Sequence, residues 1–354
     1  MFVRRVSALV VVLASCGDSV SPDGAGGAPQ DAGTSSSLDG GSDGSDGAAP
    51  SGPYGLLERV DQARYLADLT TIAKPRLPDS PHWKEVQDLC AARFAQYGYV
   101  VELHDYGTGV NVLGVKAGSS PDAHQVVIGA HYDSVADCPG ADDNGSGVAG
   151  TLEAARVLSM MTYPQTLVVA CWDEEEKGLI GSKAHAERAA GAGTKIDAVF
   201  DLEMIGYKDD AEGSQTLPPG FGGFFPEAAK RNEDNGQRAN FIAAAGNAPA
   251  APQLGALQAY SDRIGLLFVP LQLTEENISS PFLADLHRSD HAPFWKHGYS
   301  AMMITDTSNF RYDAYHCKNG KVDEIGRLDH AFATQVIKAT VGAAAETLGL
   351  ARDL

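Results

Sequence analysis

Residues 126–150 read VVIGAHYDSVADCPGADDNGSGVAG. The first five are apolar or small, as a strand covered on both faces of a mostly parallel sheet requires, and polar chemistry begins at His131 and Asp133. In open α/β sheets ligands bind beyond the carboxyl ends of the strands, so an imidazole and a carboxylate at this point are well placed for a metal. Further on, Asp142, Asp143 and Asn144 precede Gly145 and Gly147, and the apolar spacing Val148, Leu152, Ala155 starts a helix. The stretch predicts a strand, an acidic loop and a helix.

The same rhythm continues outward. After a helix over 148–161, TLVVACW (166–172) predicts a buried strand that ends in Asp173, Glu174, Glu175 and Glu176; a helix over 183–190 follows, then the strand IDAVFDL (196–202), ending at Glu203. Upstream, the stripe Leu57, Val60, Leu66, Leu69 and a second helix opened by Ser80 and Pro81 precede a pair of strands at 99–104 and 110–116. Downstream, 208–226 reads as a loop near the site mouth, 224–232 and 254–264 as helices, 267–271 as a strand, SAMMIT (300–305) as the last strand, and 331–348 as the closing helix. The β-α alternation implies right-handed crossovers. The expected class is α/β, a mixed, mostly parallel central sheet with helices on both faces.

The chain has 354 residues and a formal charge of -19, with no run of Lys or Arg. That balance argues against nucleic acid or an anionic membrane surface as a partner. Residues 1–16, MFVRRVSALVVVLASC, carry two arginines and an apolar segment too short to span a bilayer, which reads as an export signal. Leu13, Ala14, Ser15 and Cys16 resemble a bacterial lipobox, so Cys16 is the expected lipidation site and a lipid anchor the only membrane contact; an ordinary cleaved signal with an incidental Cys is the alternative. The expected location is then exported, as a lipoprotein facing the periplasm or the exterior. Residues 17–53, rich in Gly, Ser, Asp and Ala, read as a tether, and the globular domain is expected over 54–354. Of the other cysteines, Cys138 and Cys317 lie in two loops of the same crevice, which leaves a bridge between them open.

Strand ends and the loops that follow them thus present His131, Asp143, Glu175 with Glu176, and Glu203, and Tyr315 and His316 come after the last strand. Singly each is weak, since a lone His at a strand end is more often structural. Together they supply the nitrogen and oxygen donors that zinc takes in catalytic sites, with a glutamate to spare.

GAHYDS (129–134), PGADDNGSG (139–147), DEEEKGLIGS (173–182), LEMIGY (202–207), SDHAPF (289–294) and Tyr315-His316, in that order, resemble the M28-type metallopeptidases, the co-catalytic zinc aminopeptidases and their relatives. The resemblance implies two zinc ions per chain, one bound by His131 and Glu203, the other by Glu176 and His316, with Asp143 bridging. It also implies a cis peptide bond before Asn144, Asp133 orienting the His131 ring, and Glu175 as general base. Asp290 and His291 would lie in the outer shell or touch substrate, with His291 the alternative to His316 as ligand; Tyr315 belongs to the same surroundings. The implied reaction is removal of N-terminal residues from peptides with a free amino terminus. Two departures stand out: Cys317, Lys318, Asn319, Gly320 and Lys321 follow His316 where many members reach an Asp-Thr pair, and Glu203 replaces an Asp found in some.

Other readings remain open on the same fold. A carboxypeptidase would need cations for a terminal carboxylate, for which Arg288 and Arg311 are candidates; a glutaminyl cyclase would need one zinc and fewer ligands. A surface binding protein would have lost the metals. Oligomeric state and the preferred N-terminal residue are not encoded in any motif.

Overall fold

The computed structural model describes residues 52–352. The signal segment, Cys16 and the tether as far as residue 51 lie outside the described residues. In chain order the elements are α1 (Gly52–Leu57), α2 (Gln62–Ile72), α3 (Pro81–Gln96), β1 (Val100–Asp105), β2 (Val110–Lys116), β3 (Gln125–His131), α4 (Gly147–Leu158), β4 (Thr166–Trp172), α5 (Ile180–Gly191) and β5 (Ile196–Glu203). They continue with α6 (Phe221–Phe224), α7 (Pro226–Asp234), β6 (Ile242–Asn247), α8 (Ala251–Ile264), β7 (Phe268–Leu273), α9 (Glu275–Ser279), α10 (Ala292–Lys296), β8 (Ala301–Thr305) and α11 (His330–Thr347). Gly52 and Pro53, placed at the end of the tether from composition, instead open α1: proline is tolerated in a first turn, and Leu56 and Leu57 behind it are buried.

One sheet runs β1-β2-β4-β3-β5-β8-β6-β7. The four central strands β4, β3, β5 and β8 are mutually parallel, β1 and β2 form the antiparallel hairpin at one edge, and β6 turns antiparallel against β8. Along β3, Val126, Ile128 and Ala130 join a core shared with α4, α8 and α11, while Val127 points to the opposite core with α5, α7 and α10. The sheet is therefore covered on both faces, and this is why β3 to β5 read as near-continuous apolar runs. Sequence patterning misses β6, IAAAGN, whose small residues carry little strand preference; hydrogen bonding to β7 and β8 on its two sides makes it a strand.

Local signals set the helix ends. Ser80 accepts from the Trp83 amide at the start of α3, and Asp329 from the Phe332 amide at the start of α11. Helix α11 lies close against α8 at Gly342, where an added Cβ would sit 2.5 Å from Tyr260 Cδ1. Gly342→Ala is expected to destabilise the domain by about 1–3 kcal/mol through overpacking, read as a lower urea midpoint at unchanged slope; an unchanged midpoint would show that Tyr260 can move aside without cost.

Candidate metal centre

Parallel pairing brings the carboxyl ends of the central strands to one edge: His131 lies beside Trp172, and Glu203 beside Thr305. Asp133 ties the first two strand ends together. One of its oxygens, Oδ1, is 3.2 Å from His131 Nδ1, and its two oxygens accept the amides of Glu175 and Glu176 at 3.1 and 3.2 Å. This orients the His131 ring so that Nε2 faces the crevice.

Two donor groups result. His131 Nε2 lies 3.4 Å from Asp143 Oδ1 and 3.4 Å from Glu203 Oε2; His316 Nε2 lies 3.0 Å from Asp143 Oδ2 and 3.4 Å from Glu176 Oε2. Asp143 belongs to both groups. Glu175 Oε2 is 3.9 Å from His131 Nε2 but belongs to neither. Nε2 of His131, Oδ2 of Asp143 and Oε1 of Glu176 are buried and make no hydrogen bond. Buried polar atoms are rarely left so, and nitrogen and oxygen donors converging in this way are of the kind that zinc takes.

The electrostatics agree. Burial pushes the Glu175 and Glu203 carboxyls up, and burial beside Asp143 pushes Glu176 up to about 9. Burial disfavours the charged His131 ring, yet Glu175 and the other acids around it outweigh this and hold its pKa well above the usual imidazole value. Asp143 is raised by burial but pulled below the usual carboxylate range by the imidazoles of His131 and His316. So many acids in one dry space call for cationic charge.

The other sequence-marked residues surround these groups. The Tyr315 ring stacks on His316 with centroids 3.8 Å apart, and its hydroxyl accepts from Arg288 at 2.6 Å. Asp290 is fully buried with both carboxyl oxygens lacking a hydrogen bond, and burial beside Asp201 raises its pKa well above the ordinary value. His291 stands apart from both groups: Nδ1 is 3.1 Å from Asp201 Oδ2 and Nε2 is 2.9 Å from the Leu286 carbonyl, so both ring nitrogens are engaged. The Asp143-Asn144 peptide bond is cis.

Several supports escape sequence reading. The guanidinium of Arg76, fully buried, donates to the carbonyls of Tyr132, Pro139, Gly140 and Asp143, clamping the acidic loop from behind. Asp323 accepts the amides of Asp142 and Asp143 and the Tyr312 hydroxyl. Asn144 donates to the Leu202 carbonyl and to Glu203, which also accepts from Ser289 at 2.9 Å. Arg76 sits in KPRLP and Asp323 in KVDEIG, neither of which announces a role.

The model of Peptidase family M28 matches residues 111–340. The chain belongs to that family. Among curated relatives of this M28 chain, the uncharacterized protein YfbL of Escherichia coli is 32% identical over 232 residues, covering 62% of this chain and 66% of YfbL. Aminopeptidase YwaD of Bacillus subtilis is 38% identical over 103 residues, 28% of this chain and 22% of YwaD. The chain thus spans from about a fifth to just under two thirds of these relatives' lengths. Among solved structures, the Legionella pneumophila LapA aminopeptidase superposes with a TM-score of 0.63 at 20% identity, over 83% of this chain and 74% of LapA, a likeness of fold.

The raised carboxyls carry a stability consequence for the M28 domain without metal. A folded state that keeps Glu176 protonated up to about 9, against an ordinary value of 4.5, binds more protons than the unfolded chain across that window. Stability is then full below the ordinary carboxyl range and is lost as pH rises through the raised value. Thermal melts in chelator should show Tm falling as pH rises from about 5 to 9, and zinc should reverse the fall by replacing the protons. A chelated protein whose Tm rises over that range would contradict the charge arrangement.

Proposed function

We propose that this protein is a two-zinc aminopeptidase. The observation that carries the reading is the pair of donor groups sharing Asp143, with Glu175 beside them and outside both. His131 and Glu203 would hold one zinc, Glu176 and His316 the other, with Asp143 on both. Zinc ions held there would supply a water acidic enough to ionise near neutral pH and a Lewis acid for the scissile carbonyl. Glu175, positioned through its backbone amide by Asp133, takes a proton from the attacking water and delivers it to the leaving amine. Its burial favours the protonated form it adopts between those two transfers.

An apolar cavity opens beside Glu203, walled by Leu217, Phe221, Phe241, Leu271, Phe282 and Met303. It fits a bulky apolar side chain on the residue to be released. Arg311 is buried, with Nε on Gln215 and Nη1 on the Phe241 carbonyl, and does not line the cavity, which disfavours it as a cation for a carboxypeptidase; Arg288 stands at the cavity rim. The Cys138–Cys317 disulfide supports an exported location, and Leu13 to Cys16 support lipid anchoring there.

The test is a panel of aminoacyl anilides and peptides with free and acetylated amino termini. Leucyl and phenylalanyl substrates should be cleaved faster than aspartyl or lysyl ones, and acetylation should abolish cleavage; release from the carboxyl end, or equal cleavage of acetylated peptides, would overturn the reading. Glu175→Gln should retain two zincs while kcat falls at least about a hundredfold, the scale of a lost general base. Loss of zinc from that variant would place Glu175 among the ligands instead.

A further inference from the structure

Two imidazoles enter the donor groups, and they are supported differently. His131 ends a central strand, its side chain is 1% exposed, and Asp133 holds its second nitrogen. His316 sits in the irregular segment Tyr315–Gly320, its side chain is 21% exposed, and no hydrogen bond from a described residue reaches its Nδ1. Metal-binding histidines ordinarily have such a partner, because it fixes the ring before the metal arrives. His316 and Cys317 also have φ of 56° and 53°, two successive non-glycine residues in the left-handed region, which persist only where the surroundings hold them.

The restraint at this point is covalent. Cys317, next in sequence to His316, is bonded to Cys138, which opens the loop leading through Pro139 and Gly140 to Asp143. The bond therefore joins the segments that carry two of that group's donors, His316 and Asp143, across 179 residues of sequence. The far side of the same loop is held by Arg76 and Asp323, and Asp323 also donates its amide to Cys317 Sγ at 3.4 Å. Arg76 also holds the Tyr132 carbonyl beside His131, whereas the disulfide itself joins only the two loops.

We infer that the Cys138–Cys317 disulfide is a positioning pair for the Asp143, Glu176 and His316 group, standing in for the hydrogen bond that His316 lacks. Without it the His316 segment keeps only non-covalent ties, among them Arg288 to the Tyr315 hydroxyl and the Tyr312 hydroxyl to Asp323, and a metal binding there must complete the ordering of the loop as well as coordinate. His131 and Glu203, at strand ends, keep their geometry, and Asp143 stays held by Arg76 and Asp323. The inference rests on the two-zinc reading above.

The experiment is zinc titration of the chelated full-length protein, wild type against Cys138→Ala/Cys317→Ala, resolved into two sites by competition with a chromophoric chelator. The double variant should bind its tighter zinc with wild-type affinity and its second at least about tenfold more weakly, the scale on which lost outer-shell partners act. His316→Ala should abolish the same site that the double variant weakens. Two wild-type affinities in the double variant, or equal weakening of both as general destabilisation would give, overturns the inference and leaves the two-zinc reading standing. Wild type that binds fewer than two zincs overturns both.

Should the double variant not fold, the zinc-loaded wild type is treated with a water-soluble trialkylphosphine. This cleaves the S–S bond to two thiols, with protons and oxygen from water, and yields the phosphine oxide. Release of one zinc per chain to the chelator, recaptured on reoxidation, supports the inference; retention of both zincs at full thiol count overturns it.

Discussion

Concentrated negative charge in a space largely shielded from water is the constraint on which the rest of this structure depends. Asp143, Glu175, Glu176, Glu203 and Asp290 crowd the carboxyl edge of the sheet, with Asp142 and Asp323 just behind. Like charges so close, and so poorly solvated, cannot all ionise without cations. The protein supplies some relief itself. Backbone amides point at Asp133 and Asp323, the guanidinium of Arg76 lies under the acidic loop, and Asp142 is raised well above the usual range by its burial beside Asp306. Among the atoms left without a hydrogen bond are Nε2 of His131, Oδ2 of Asp143 and Oε1 of Glu176 at the two donor groups, and both carboxyl oxygens of Asp290.

The sheet makes this concentration achievable. Parallel strands deliver all their carboxyl ends to one edge, so each successive loop adds a donor to the same crevice, and the two opposite cores hold the strand ends rigid. The centre is nevertheless asymmetric. One group takes two of its three donors, His131 and Glu203, from strand ends; the other draws all three from loops, and the loops of Asp143 and His316 are joined to each other by a disulfide and to the rest by Arg76 and Asp323. Precision at the first comes from the ladder, at the second from local clamps.

The donors were legible in the sequence for a simple reason. His131 and Glu203 end apolar runs and Glu176 closely follows one, so they stand out as polar residues where a buried strand stops, while Asp143 and His316, farther past their strands, stand out through the motifs around them. Their supports were not legible, because they work through groups that every residue possesses. Arg76 binds carbonyls 56 to 67 positions away, and Asp323 binds amides 180 and 181 positions away. No periodicity marks such a residue. Strand β6 was lost for a related reason: alanines and a glycine carry no pattern, and only the neighbouring strands make them a strand.

By itself, then, the sequence determined the α/β rhythm, the order of the motifs and the chemical type of the donors, since these follow from local hydrophobic runs and the polar residues that end them. The grouping of the donors around Asp143 with Glu175 outside, implied in the sequence only by motif resemblance, takes its geometry from the tertiary structure, which alone decided that His291 is occupied elsewhere and that Cys138 meets Cys317. Those outcomes depend on strand order and on the paths of loops between strands. Both are set by packing between segments far apart in the chain, where the spacing of residues along the sequence carries no distance information.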